Sequence, residues 1–141
     1  MKSEDFEIST DKSRLDVDVI FGFLSAESYW AQNRTLEQTK TAIQNSLCFG
    51  VYTGGRQIGF ARVVSDFATF AYIGDVFVLS EFRGLGLSKR LMETIVAHPN
   101  LQGLRRMLLA TRDAHGLYEQ FEFHPLRVPE RWMERTAPDA Y

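Results

Sequence analysis

The sequence has little cysteine, no long apolar run and no excess of charge of either sign. Among its 141 residues Cys48 is the one cysteine, so no disulfide can form within the chain and a reducing compartment, the cytoplasm, is expected. No run of about eighteen apolar residues is present to span a bilayer, and residues 1–10 lack the apolar stretch of a signal peptide. With 16 basic and 18 acidic residues, nucleic acid is not an expected partner either.

Apolar residues are plentiful. They make up 45% of the chain and include 11 phenylalanines, which is enough to build a core without a disulfide or a metal. A domain of this size buries roughly two-thirds of the surface of its unfolded chain. No repeat or linker divides the sequence, so residues 1–141 are expected to form a single domain.

Hydrophobic periodicity predicts nine elements in the order β-α-α-β-β-β-α-β-α, followed by a tail with room for one brief strand. The predicted strands cover residues 5–9, 48–52, 57–64, 70–79 and 107–110. The predicted helices cover residues 16–24, 36–47, 87–97 and 114–121. Hairpins in the first half and a strand–helix–strand crossover in the second predict a mixed sheet. The expected fold class is therefore α/β (or α+β), with helices flanking a central sheet in three layers.

A glycine-rich turn leads from the most apolar strand into the helix at 87–97. A helix N-terminus offers unpaired N–H groups and the positive end of its dipole, and glycine lets a phosphate approach the backbone closely. The chain contains no Gly-Lys pair, which excludes a P-loop, and Lys89 stands where a dinucleotide fingerprint needs glycine or alanine. The turn could be a plain helix start or, with an arginine beside several free amides, could hold a diphosphate in another way. Its residues are Arg83, Gly84, Leu85, Gly86, Leu87 and Ser88.

This turn resembles the R/Q-x-x-G-x-G/A signature of the GNAT superfamily of N-acetyltransferases, with Arg83, Gly86 and Ser88 at its three defined positions. The resemblance implies that all six residues of the turn contact the pyrophosphate of coenzyme A. The preceding residues Asp75-Val76-Phe77-Val78 are similar to the family's strand that splays away from its neighbour. By that resemblance, the backbone of Val76, Phe77 and Val78 pairs with the pantetheine arm.

The resemblance continues downstream, where residues 111–123 are similar to the family's N-x-x-A-x-x-x-Y-x-x-x-G-F stretch. It implies cofactor contacts at Thr111, which replaces the customary asparagine, and at Ala114. It also implies that Tyr118 is the catalytic acid. A tyrosine with a pKa near its usual value of about 10 keeps its proton at pH 7 and can donate it to a departing thiolate. Taken alone, Tyr118 would be an aromatic residue packed on a helix face.

Asp75 stands inside the most apolar strand, where an unpaired carboxylate would cost several kcal/mol. It must therefore meet a structural partner, such as an arginine or a backbone amide, or face the acceptor as a second catalytic residue. Tyr72, three residues earlier, could order a water molecule near the acceptor or simply pack in the core. The alternative bases are His98, His115 and His124, among which His115 lies three residues before Tyr118.

Several aromatic residues are candidates for the acceptor site, above all Tyr29 and Trp30 in the segment between the first two helices, with Phe67, Phe70 and Trp132 as further possibilities. Each could equally be a packing residue. No pair of histidines has metal-ligand spacing with a cysteine or acid, so no metal is expected. Cys48 is expected to be a small buried residue rather than a nucleophile.

These patterns and the resemblance together predict an N-acetyltransferase that uses acetyl-CoA as co-substrate. The expected reaction is direct transfer of the acetyl group to the primary amine of a small molecule within a ternary complex. Two alternatives stay open: acetylation of a protein or peptide, and a module of the same fold that binds CoA without turnover. The resemblance also allows a homodimer.

Overall fold

The computed structural model describes residues 5–138, which form one five-stranded sheet with helices on both faces. The strands are β1 (Glu7–Ser9), β2 (Leu47–Thr53), β3 (Arg56–Ser65), β4 (Phe70–Val78) and β5 (Arg106–Leu109). The helices are α1 (Val17–Ala26), α2 (Leu36–Gln44), α3 (Leu87–Val96) and α4 (His115–Glu119). The order of these nine elements is the one predicted from periodicity, and short 3-10 turns join several of them.

The strands lie in sequence order, β1-β2-β3-β4-β5. Neighbouring strands from β1 to β4 pair antiparallel, and β5 runs parallel to β4. A tight hairpin joins β2 to β3 through Gly54 and Gly55, both with positive φ, as a two-residue turn of this hand requires. The parallel pair needs a crossover, which α3 supplies. The mixed sheet and the predicted α/β class are thus confirmed.

Two separate apolar clusters fill the two sides of the sheet. On one side α1 and α2 contribute Ile20, Phe23, Leu24 and Ile43, which pack against strand residues that include Phe60 and Phe77. On the other side α3 contributes Leu87, Leu91, Met92 and Ile95, and α4 contributes Tyr118. Each helix turns its apolar stripe towards the sheet, which explains the three layers.

The three longer helices begin in different ways. The Asp16 side chain accepts hydrogen bonds from the first turn of α1, and Thr35 with Gln38 forms the predicted capping box on α2. No side chain caps α3, whose N-cap is Gly86 in the left-handed conformation. The backbone N–H groups of the first turn of α3 are therefore left for another acceptor.

The second half of the chain departs from expectation in two places. The helix predicted over 114–121 is shorter, because α4 ends at Glu119 and the chain then folds back so that the Phe123 amide donates to the Tyr118 carbonyl. The brief strand considered for the tail is absent from residues 124–138, which hold only a 3-10 turn at Pro129–Arg131. Within residues 5–138 no helix is both long and apolar enough to cross a membrane.

Candidate active site

Strand β4 separates from β5 halfway along its length. The parallel ladder ends where Ile73 lies opposite Leu109, so residues 74–78 have no partner on β5. We call this segment the open edge of β4. Its backbone N–H and C=O groups on that side are available to a ligand that binds as an added strand, apart from the Val78 carbonyl, which accepts a hydrogen bond from Arg83 Nε at 3.1 Å.

On its other edge, where it pairs with β3, β4 has a register shift just after Ile73, where the ladder with β5 ends. Phe60 of β3 lies opposite Phe77, but Arg62 lies opposite Gly74, so β4 has one residue more than β3 in this interval. Asp75 takes up the extra residue with a φ of +54°, which is unusual for a residue other than glycine. This bulge lets Asp75 share the α1/α2 side of the sheet with Arg62, rather than the α3 side with Ile73.

Asp75 is almost fully buried there, with 3% of its side chain exposed, and three donors from other parts of the chain meet its carboxylate. Arg34 Nη1 donates to Oδ2 at 2.6 Å, and Arg62 Nε donates to the same oxygen at 2.8 Å. Trp30 Nε1 donates to Oδ1 at 3.0 Å. We call Asp75, Arg34, Arg62 and Trp30 the Asp75 cluster.

The surroundings of Asp75 fix its protonation state. Burial by itself would raise the pKa of this carboxyl group, but the hydrogen bond from Arg34 and the charges of Arg62 and Arg34 outweigh burial and lower it. Asp75 is therefore an anion with both oxygens occupied. This is the structural alternative considered for Asp75, and the geometry favours it over direct removal of a proton from the acceptor.

The segment between α1 and α2 is fastened to both strands beside the open edge. Trp30 reaches Asp75 on β4, and the Tyr29 ring packs edge-on against the Trp30 ring, with centroids 5.0 Å apart. The Arg112 backbone N–H, just beyond β5, donates to Tyr29 Oη at 2.8 Å, and the Arg112 guanidinium lies 3.9 Å from the centroid of the Tyr29 ring. Tyr29 therefore extends the Asp75 cluster from Trp30 towards the end of β5, and the two rings form one wall.

The turn before α3 forms a concave site of about 230 Å³. Gly84 and Gly86 have φ of +79° and +75°, and a Cβ built on either would point into open space. Both backbones can thus be approached closely by a ligand. The lining residues come from the end of β4, the turn, the first turn of α3 and α4: Val78, Phe82, Arg83, Gly84, Gly86, Leu87, Ser88, Lys89 and Leu117.

The predicted cofactor residues fall into two groups, those that line the concave site and those that do not. Arg83, Gly84, Gly86, Leu87, Ser88 and Val78 line the concave site. Leu85, Val76 and Ala114 do not line it and pack instead against the core on the α3 side. Phe77 stacks on Phe23 in the other cluster, at 4.1 Å between centroids, and lies opposite Phe60 of β3.

Thr111 has a local structural partner. Its Oγ1 accepts a hydrogen bond from the Ala114 backbone N–H at 3.1 Å, which steadies the entry into α4. The hydroxyl keeps its own proton to donate. Threonine thus closes this turn at the position of the family's customary asparagine.

Tyr118 on α4 is 9% exposed and has an elevated pKa. Burial is the main cause, and the phenol of Tyr29 and the carboxylate of Asp113 add to it. The phenol consequently stays protonated well above neutral pH. The ring packs edge-on against Phe123, with centroids 6.1 Å apart, which fixes its direction.

The other residues considered for the acceptor site or as bases lie in different parts of the structure. Tyr72 is half-buried, and its ring lies beside Gly74, where an added Cβ would come within 3.2 Å of Tyr72 Cε1. His98 caps the 3-10 turn after α3 and packs edge-on against Phe49. His115 and His124 are exposed. Trp132 stacks on Arg106, so it does not join Tyr29 and Trp30.

Two charged residues of the site, Arg34 and Arg62, were not identified from the sequence. Arg62 stands among apolar residues on β3, which is a usable signal, because a buried arginine needs an acid on a neighbouring strand. Arg34 carries no such signal, since it lies in an irregular segment and 41 residues separate it from Asp75. Within residues 5–138 no three His, Cys, Asp or Glu side chains are placed to hold a metal ion.

The site thus combines an open strand edge, an uncapped glycine-rich start of α3 and, on α4, the buried phenol of Tyr118. The profile of the acetyltransferase (GNAT) family matches residues 17–123, which is more than half of the chain. The chain belongs to this family and is an acyltransferase, as its sequence predicted.

Known relatives agree with this assignment. A candidate acetyltransferase of Gibberella zeae is 32% identical over 136 residues, covering 81% of this chain and 76% of its own. A crystal structure of a candidate GNAT acetyltransferase from Xanthomonas campestris pv. campestris superposes with a TM-score of 0.93 at 54% identity, covering 96% of both chains. A GNAT acetyltransferase of Elizabethkingia anophelis, solved with acetyl-CoA bound, shares the fold at a TM-score of 0.64 and 10% identity, covering 84% of this chain and 76% of its own.

Proposed function

We propose that the protein transfers an acetyl group from acetyl-CoA to the primary amine of a small molecule, directly and within a ternary complex. The observation that carries this proposal is the uncapped start of α3 beside the open edge of β4. When bound, acetyl-CoA supplies an acetyl group activated as a thioester. The first-turn amides of α3 with Arg83 would hold its diphosphate, and the open edge would pair with its pantetheine arm.

The chain's own residues support direct transfer. Cys48 is fully buried, and burial raises the pKa of its thiol to about 11, so it is unsuited to act as an acyl-accepting nucleophile. Tyr118 holds a proton at Oη that it can give to the leaving sulfur. Holding both reactants in one site contributes much of the rate, because the reaction then proceeds as if it were intramolecular.

The acceptor must lose a proton before it can attack. For an amine with a pKa near 10.4, the free base at pH 7 costs about 4.6 kcal/mol. Asp75 is unsuited to take this proton, because two arginines and an indole already occupy it. The positive charges of Arg34 and Arg62 would instead lower the pKa of an amine bound near them. With its single cysteine, the chain suits the cytoplasm, which remains our expectation for its location.

A thiol-release assay with acetyl-CoA tests the proposed function. The purified protein is offered a library of small amines and, separately, a panel of peptides with free lysines and N-termini. Turnover with small amines supports the proposal, and turnover with peptides alone would replace it with protein acetylation. Calorimetric binding of CoA without thiol release in either panel would make the protein a non-catalytic module. Absence of CoA binding would contradict both activities.

A further inference from the structure

The Asp75 cluster contains more positive than negative charge. Arg34 and Arg62 both contact the one carboxylate of Asp75, which leaves a net charge of +1. Among residues 5–138 neither guanidinium forms an ion pair with a second carboxylate. Structural ion pairs do not require an unbalanced arginine, and a partly buried cation is costly without an anion. The excess charge therefore needs an explanation.

Both arginines also retain donors. A guanidinium carries five N–H groups. Asp75 receives one from each arginine, and Arg62 donates a further one from Nη1 to Ser46 Oγ at 3.1 Å. The side chains are 23% exposed for Arg34 and 14% exposed for Arg62, so both can still be reached by a ligand.

The position of the cluster connects it with the reaction. Asp75 opens the segment of β4 that has separated from β5, and Trp30 links it to Tyr29. Tyr29 also accepts a hydrogen bond from the Arg112 backbone N–H just beyond β5. The two arginines thus lie on the side of the sheet opposite α3, beside the point where β4 leaves β5.

We propose that Arg34 and Arg62 form an anion subsite, so that the acceptor carries a carboxylate or phosphate group in addition to its primary amine. This inference rests on the proposed function. Guanidinium groups bind both anions through paired N–H donors in fixed geometry. Asp75 then serves as a positioning residue, because it holds the two arginines while leaving one positive charge for the acceptor.

Two matched pairs of acceptors test the subsite by thiol release. The carboxylate pair is β-alanine and β-alaninamide, and the phosphate pair is 2-aminoethyl phosphate and ethanolamine. We expect at least one acidic member to exceed its neutral twin by tenfold or more in kcat/KM. Equal or better turnover of both neutral members would overturn the subsite and leave the proposed acetyl transfer standing.

A binding measurement decides the question where none of the four compounds is turned over. The chain has two tryptophans, so the Trp132→Phe variant leaves Trp30, which donates to Asp75, as the sole indole reporter. In the presence of CoA, we expect β-alanine or 2-aminoethyl phosphate to change Trp30 fluorescence saturably and the neutral twins not to. No saturable change with either acid would overturn the subsite independently of turnover.

Arginine variants separate binding from folding. We expect Arg34→Gln to reduce the preference for the acidic acceptor at least tenfold through KM, with calorimetric CoA affinity unchanged. Arg34→Lys keeps a positive charge next to Asp75 but loses the paired N–H donors, so it should fold and lose a measurable part of the preference, which covers the case in which Arg34→Gln fails to fold. The matched control is Arg14→Gln, since Arg14 is ion-paired with Glu7 beside β1 and should leave the preference intact. An unchanged preference in folded Arg34→Gln would contradict the inference.

Discussion

Trp30 Nε1 donates a hydrogen bond to Asp75 Oδ1 at 3.0 Å across 45 residues of sequence. It joins the segment between α1 and α2 to the bulge where β4 leaves β5. The wall formed by Tyr29 and Trp30 and the start of the open edge are therefore held by the same carboxylate. Arg34, from the same segment, strengthens the connection with a 2.6 Å ion pair.

Asp75→Asn should destabilise the fold at neutral pH, because it leaves two partly buried guanidinium groups without their anion. Removal of one partner from a buried pair costs roughly 3 kcal/mol or more. The measurement is urea unfolding at pH 7, with Glu93→Gln in the middle of α3 as an exposed control that should change stability by less than about 0.5 kcal/mol.

The same variant should show a defined pH dependence. The pKa of Asp75 is lowered in the folded protein, so its stabilisation is fully present above the unfolded value of about 3.9 and is lost as pH falls through the lower folded value. The difference in unfolding free energy between wild type and Asp75→Asn should therefore narrow below about pH 4. If the difference in unfolding free energy stayed constant down to pH 2, the charge of Asp75 would not be the cause of its stabilising effect.

Tyr118→Phe should reduce turnover at least tenfold, because the leaving sulfur loses its proton donor. CoA affinity measured by calorimetry should stay within about twofold, since the ring remains and its packing against Phe123 is kept. The matched control is Tyr52→Phe, which removes another buried phenol, in β2, without touching the site. Full turnover in Tyr118→Phe would remove the role assigned to this hydroxyl.

Ser88→Glu should move stability and cofactor affinity in opposite directions. A carboxylate in the uncapped first turn of α3 complements the helix dipole and should raise the unfolding free energy by about 0.5 kcal/mol. The same carboxylate competes with a diphosphate for the amides, so calorimetric CoA affinity should fall at least tenfold. Ser88→Gln introduces a neutral side chain of the same size as glutamate, and its CoA affinity should fall much less. Unchanged CoA affinity in Ser88→Glu would place the diphosphate elsewhere.

Tyr52→Phe should stabilise the protein. The Tyr52 hydroxyl is buried without a hydrogen-bond partner among the described residues, and its ring lies over Gly50, where a Cβ would clash with it. An unsatisfied buried polar group costs about 1–3 kcal/mol, so its removal should raise the unfolding free energy by about 1 kcal/mol. Thermal and urea unfolding measure the change, and a loss of stability would reveal an unrecognised partner of the hydroxyl.

The sequence predicted the parts of the site that depend on neighbouring residues. The glycine-rich start of α3, the capping box of Thr35 and Gln38 and the Gly54-Gly55 hairpin each follow from a few residues whose backbone preferences act locally. The predicted helix at 114–121 was too long, because the return of Phe123 to the Tyr118 carbonyl depends on packing against α4.

By itself, then, the sequence determined the order of the elements and the glycine-rich turn that opens α3, and it supplied the proposals for the diphosphate site and for Tyr118. The tertiary structure alone decided the surroundings of Asp75. Its partners Arg34 and Arg62 lie 41 and 13 residues away in sequence, and a bulge turns Asp75 to the side of the sheet on which it meets both. A local sequence pattern cannot predict this contact, because the free energy of a buried carboxylate depends on which distant charged residues the completed fold places beside it.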